Sequence, residues 1–179
     1  RIYTDGVARV VEYIRAGDVF QVNLAHMLDG PFTGSPRDLF AEMADAASPW
    51  YGAYIEDVPH HDGTQAVLSI SPELFLDFDP ATRLVTTRPI KGTLRAGAGR
   101  DALAASPKDA AELAMIVDLM RNDLGRVCRF GSVRVDHPRA IETHAGRAGV
   151  HQATATISGT LRDGVSFADV LRATFPPGS

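Results

Sequence analysis

The sequence predicts an antiparallel α+β domain, on three observations. Short strand-like runs outnumber helical ones, successive runs are joined by short turns, and the helical stretches fall between groups of strands rather than alternating with them. Near the start, Val7, Val10, Val11 and Ile14 recur at helical spacing until Gly17 breaks the pattern, which predicts a short amphipathic helix. Val19 to Leu24 alternates, with Phe20, Val22 and Leu24 on one face and Gln21 and Asn23 on the other. That alternation predicts a half-buried strand whose polar pair looks into a cleft. A helix is expected over Pro36–Ala47, then strands over Tyr51–Ile55, Ala66–Ile70, Glu73–Phe78 and Leu84–Thr87, with Asp79-Pro80 turning the last hairpin. Pro107 to Leu124 is the longest helical stretch, opened by the cap-then-proline pair Ser106-Pro107 and closed at Gly125. Strands over Ser132–Val135 and Val150–Ser158 and a helix over Phe167–Ala173 complete the expected order.

The chain has 179 residues, 45% of them hydrophobic and 22% charged, enough for one good core. Its formal charge is −4 with both signs interspersed, so it offers no basic stripe for nucleic acid. No apolar run approaches membrane-spanning length. The single cysteine, Cys128, rules out an internal disulfide, and a reducing, cytoplasmic setting is expected. Arg1 opens directly into helix-like sequence and Phe175-Pro176-Pro177-Gly178-Ser179 reads as a turn entering something further. Residues 1–179 are therefore expected to be one domain, incomplete at both ends.

Three constellations bear chemical residue types. In Arg88-Pro89-Ile90-Lys91-Gly92-Thr93 a strand runs into a glycine that permits close backbone approach to a ligand. Lys91 would be a nucleophile only when neutral, which a partly desolvated pocket promotes; from spacing alone it reads more readily as a surface lysine at a strand end. On the long helix, Glu112 falls within about 40° of Ile116 and Leu119, and Asp123 returns to within about 20° of Glu112. Roughly 16 Å of helix separates these two carboxylates, so they cannot share one ion, and either makes ion pairs or caps as readily as it binds metal. Ser71-Pro72-Glu73 places a carboxylate after a turn beside Ile70, Leu74 and Phe75, where burial would suit a general acid; a solvated edge-strand glutamate is the alternative. His60-His61 reads as a solvated turn, and His26, His137, His144 and His151 lack zinc-ligand spacing.

Taken in order, five segments resemble the chorismate-utilising family that contains anthranilate, aminodeoxychorismate, isochorismate and salicylate synthases. They are Gly17-Asp18-Val19-Phe20-Gln21-Val22-Asn23-Leu24, Ser71-Pro72-Glu73-Leu74, Pro89-Ile90-Lys91-Gly92-Thr93, Ala111-Glu112 through Val127 and Phe175-Pro176-Pro177-Gly178-Ser179. The resemblance implies a layered sandwich of two large, mainly antiparallel sheets with outer helices, and a cleft holding chorismate and Mg2+. Family members that add water carry a lysine in the early strand where this chain has Gln21, which cannot deprotonate water. In the Pro-Ile-x-Gly-Thr motif anthranilate synthases typically have alanine, whereas aminodeoxychorismate synthases have the lysine found here as Lys91. The resemblance is therefore nearest to the aminating branch of p-aminobenzoate and folate synthesis.

By that resemblance Lys91 attacks ring C2, Glu73 protonates the departing C4 hydroxyl, and Glu112 is a metal ligand. Gln21, Gly92, Thr93, Gly178 and Ser179 contact substrate, the last two through a turn whose amides hold a carboxylate. Ammonia is expected from a separate glutamine amidotransferase subunit or domain, because Cys128 stands in no glutaminase-like context. Two departures stand out: Gln152 occupies a strand position where many relatives have histidine, and the family's later metal-binding glutamate is not in this sequence. An anthranilate- or isochorismate-type enzyme, and a non-catalytic binding module, remain the alternatives.

Overall fold

In the computed structural model, which describes residues 2–61, 63–144 and 149–178, the chain forms two compact units, Arg1–Gly34 and Ser35–Ser179. In the first, helix α1 (Ile2–Ala16) contains the expected helical stretch and ends where Gly17 turns left-handed, with Gly17 and Asp18 donating to Ile14 and Tyr13 carbonyls. The expected strand over Val19–Leu24 is not formed. Alternation fixes which side chains share a face, but a strand exists only with a hydrogen-bonded neighbour, and α1 is the regular element described in this unit. The segment instead folds back on α1: His26 stacks on Tyr3 with ring centroids 4.4 Å apart, and Leu24 lies against Gly6.

The second unit opens with α2 (Pro36–Ala47), whose first turn is fixed by Ser35 Oγ accepting from Asp38 N at 3.2 Å and by proline at the first helical position. A hairpin of β1 (Tyr51–His60) and β2 (Gly63–Ser71) follows, with a bulge between Ile55 and Val58. The main sheet has five strands: β3 (Leu74–Asp79), β4 (Leu84–Arg88), β5 (Ile90–Arg95), β6 (Arg134–His144) and β7 (Val150–Thr160). All described pairings are antiparallel, as the α+β reading expected, although the second sheet among the described residues has two strands rather than many.

β7 organises the main sheet. β6 pairs along it from residue 150 to residue 158, while β4 takes residues 157–160 and β5 residues 150–154. β4 and β5 thus form one line along the edge of β7 opposite β6, interrupted at Pro89, which has no N–H to give the ladder. The line is still tied at the break, because Pro89 O accepts from Ala155 N at 3.1 Å.

Helices α3 (Arg100–Ala104), α4 (Pro107–Gly125) and α5 (Phe167–Thr174) join this sheet. On α4, Leu113, Ile116, Val117, Met120 and Leu124 recur at steps of three and four and are buried against Ala153, Ala155, Ile157 and Val85. Small residues on β7 let the helix come close, and Gly159 leaves room for the Cys128 thiol. Ser166 and Asp169 cap α5 reciprocally, and the hydrogen bonds from Ser166 hold the Asp169 carboxyl below its ordinary pKa. Among the described residues no helix is long and apolar enough to cross a membrane.

Candidate active site

Glu73 is positioned by its own turn and by the break at Pro89. Ser71 Oγ accepts from Glu73 N at 3.2 Å and donates to Glu73 O at 3.0 Å, closing the turn before β3. Because Pro89 O faces β7, the N–H across the same peptide plane points to the opposite side. That donor, Ile90 N, is taken by Glu73 Oε1 at 2.7 Å. A half-buried carboxylate therefore satisfies the backbone donor one residue before Lys91.

Lys91 and Gly92 occupy a bulge. Ile90 pairs with Thr154 and Thr93 with Gln152, so β5 takes three steps where β7 takes two. Gly92 has φ +83°, and a Cβ there would stand 2.8 Å from both Asp109 Cγ and Leu103 Cδ1. The sequence reading gave this glycine an approach to ligand; its close approach here is to α3 and the first turn of α4. Gly92→Ala is expected to destabilise the protein by about 3 kcal/mol, from left-handed strain and overpacking together. A denaturation midpoint unchanged from wild type would contradict that.

Glu73 lines a cleft of about 160 Å³ with Ser71, Thr87, Pro89, Ile116, Met120 and Gly178. Gly178 closes its end against α4, where a Cβ would overlap Leu119 Cδ2. Lys91 is half-buried, two residues beyond Pro89 in the cleft wall, and among the described residues no hydrogen bond or ion pair holds its ammonium. Thr93 is exposed, and its Oγ1 accepts from Gln152 Nε2 at 3.3 Å. Gln21 is exposed in the first unit, and Ser179 lies outside the described residues.

Glu112 sits one helical turn before Ile116, which with Met120 brings α4 to the cleft. Its side chain is 44% exposed and its ion-pair contact is Lys108 Nζ at 3.7 Å. Among the described residues no three His, Cys, Asp or Glu side chains converge as a metal cage. Magnesium needs none, since it is commonly held by one or two carboxylates with water and substrate oxygens completing the shell. An accessible carboxylate with a loose lysine contact fits the single-ligand version of such a site. Asp123 is buried at the far end of α4, where Asn122 Nδ2 donates to it at 3.4 Å and Arg126 lies 4.0 Å away, a helix-end role. Burial pushes the Cys128 thiol up to about 11, so it is no nucleophile near neutral pH.

Three features escaped the sequence reading. Thr87, Ile116 and Met120 line the cleft as ordinary members of a strand and a helix, and nothing local distinguishes them. Arg88 was legible as a motif residue, but its partner Glu142 was not, lying in a stretch to which the sequence reading gave no element. Gln152 is buried, directly opposite Glu142 in the β6–β7 register, and among the described residues Gln152 Oε1 and Glu142 Oε2 are buried without hydrogen-bond partners.

The cleft is lined by a held carboxylate and lies beside a strand bulge bearing a lysine. The chain belongs to the chorismate binding enzyme family, whose model matches residues 1–179. It is 40% identical over 184 residues to aminodeoxychorismate synthase component 1 of Klebsiella aerogenes, covering 99% of this chain and 39% of that protein. It is 38% identical over 184 residues to an anthranilate synthase component 1 of Haloarcula marismortui, covering 99% of this chain and 35% of that protein. Among solved structures, anthranilate synthase component I from Streptococcus pneumoniae matches with a TM-score of 0.65 at 29% identity, over 82% of this chain and 31% of that one. The chain thus spans about two fifths or less of the length of these relatives.

Proposed function

We propose that this chain carries catalytic residues of an aminodeoxychorismate synthase-type reaction, in which chorismate and ammonia become 4-amino-4-deoxychorismate and water. The observation that carries the reading is the 2.7 Å hydrogen bond from Ile90 N to Glu73 Oε1, which keeps an acid beside the strand that bears Lys91. The Klebsiella relative supports the same branch.

Neutral Lys91 adds to ring C2, the two ring double bonds each shift one position, and the C4–oxygen bond breaks as Glu73 delivers a proton, releasing water. Ammonia then adds at C4, the double bonds return, and the C2–nitrogen bond breaks to free Lys91. The Glu73 carboxylate takes the proton that the new amine loses, restoring the starting state. Magnesium, when bound, supplies Lewis-acid stabilisation of the substrate's ring carboxylate. Glu112 is the residue of this chain that would hold it. Thr93 and Gly178 border the substrate, and Gly92 holds the bulge that carries Lys91. Ammonia reaches the site from a glutamine amidotransferase, in a cytoplasmic setting.

The Haloarcula relative favours a second reading, anthranilate formation. Incubating the full-length protein with chorismate, magnesium and ammonium and identifying the product decides between them. 4-Amino-4-deoxychorismate is expected, anthranilate would establish the second reading, and neither product would overturn both. Glu112→Gln is expected to raise the magnesium concentration for half-maximal activity by about tenfold, since one negative ligand is lost. An unchanged magnesium titration would leave Glu112 to its pairing with Lys108.

A further inference from the structure

We infer that Arg88 is a positioning residue that holds the Glu73 and Lys91 segments in working alignment. This rests on the roles proposed for those two residues. Arg88 stands where the two segments meet. Its backbone pairs with Leu74, the residue after Glu73, and it is followed by Pro89, Ile90 and Lys91. Its side chain fixes that junction to two other strands. Nη2 donates to Glu142 Oε1 on β6, Nη1 donates to Tyr51 Oη on β1 at 3.2 Å, and the guanidinium lies 5.5 Å over the Trp50 ring.

The reach is what makes arginine specific. β4 and β6 lie on opposite edges of β7, about 10 Å or two strand spacings apart, a gap that the Arg88 and Glu142 side chains close between them. Both side chains of this pair are 23% exposed, which limits screening by solvent. Among the described residues Glu142 Oε2 has no hydrogen-bond partner, and Arg88 is the charged group on the carboxylate's other oxygen. A planar fork with several donors can serve Glu142 and Tyr51 together; a lysine ammonium is shorter and cannot keep the same planar geometry. Arg88 is not among the residues that line the 160 Å³ cleft, and it acts through the backbone it anchors.

The test is made in the full-length protein, reading chorismate consumption whatever the product. Failure of the amination reading therefore appears as a different product from wild type, and failure of this inference as an undiminished rate. Arg88→Met is expected to lower kcat by about 100-fold with KM changed less than threefold, the size of loss that a misplacement of about 1 Å produces. Removing one partner of a half-buried pair also threatens folding. Arg88→Met with Glu142→Met removes both charges, and its melting temperature is expected to return toward that of wild type while kcat remains about 100-fold down. Arg88→Lys is expected to fall between, about tenfold down in kcat at unchanged KM. Wild-type kcat in the double methionine variant, or in Arg88→Lys, would overturn the assignment and leave Arg88 a purely structural partner of Glu142.

Discussion

Lys91→Ala in the full-length protein is expected to lower aminodeoxychorismate formation by at least about 1,000-fold, or about 4 kcal/mol of transition-state stabilisation. Chorismate should still bind, because the lysine's contribution lies in bond formation rather than in holding the substrate. The backbone should tolerate the change. Lys91 sits in a bulge, has no described hydrogen bond or ion pair, and is only half-buried, so alanine removes an amine without opening a core cavity. The result is read by product formation against an unchanged melting temperature. Near-wild-type turnover in the alanine variant would end the nucleophile assignment, and the bulge would then have to be explained by the packing of Gly92 alone.

Glu73→Gln separates proton transfer from architecture. A glutamine carbonyl oxygen can still accept the hydrogen bond from Ile90 N, so the junction between the turn at Ser71 and the break at Pro89 should survive. The amide has no acidic proton to give the C4 oxygen. A loss of about 100- to 10,000-fold in kcat is expected, with little change in stability. Glu73→Ala should lose comparable activity and some stability as well, because it leaves the Ile90 donor without this acceptor. Retention of activity in the glutamine variant would mean that the carboxylate serves only to seat the backbone.

How far the sequence could carry these conclusions depended on the range of each interaction. The helix over Pro107–Gly125 was legible because its signals are local: Ser106 caps it, Pro107 starts it, and its apolar residues recur every three or four positions. Pro36–Ala47 was legible for the same reasons. The Val19–Leu24 segment misled because period-two alternation says which residues share a face, not whether a ladder partner exists. β6 was read only over Ser132–Val135; the strand runs on to His144 and accommodates Pro138 on an edge, within the register shift at His137/Ala140. Of the residues the motifs singled out, Glu73 and Gly178 line the cleft, but the motifs did not give their geometry. The contact between Glu73 and Ile90 joins positions 17 apart, and that between Arg88 and Glu142 joins positions 54 apart, so both depend on the assembled sheet.

The place of β7 has a temporal consequence. Both lines of strands that flank it, β4 with β5 and β6, precede it in the chain, so a ribosome releases every flank before the strand they attach to. Until residues 150–160 emerge, Ile90 has no opposite partner at Thr154 and Pro89 O no donor at Ala155. The Lys91 bulge, defined by its mismatch with β7, has no meaning before then. Interactions over such separations form late and slowly because a long loop must close first. A nascent chain halted short of residue 150 should therefore hold its α4 sequence and its β1–β2 hairpin while the catalytic strand stays unregistered, exposing edges that invite chaperones.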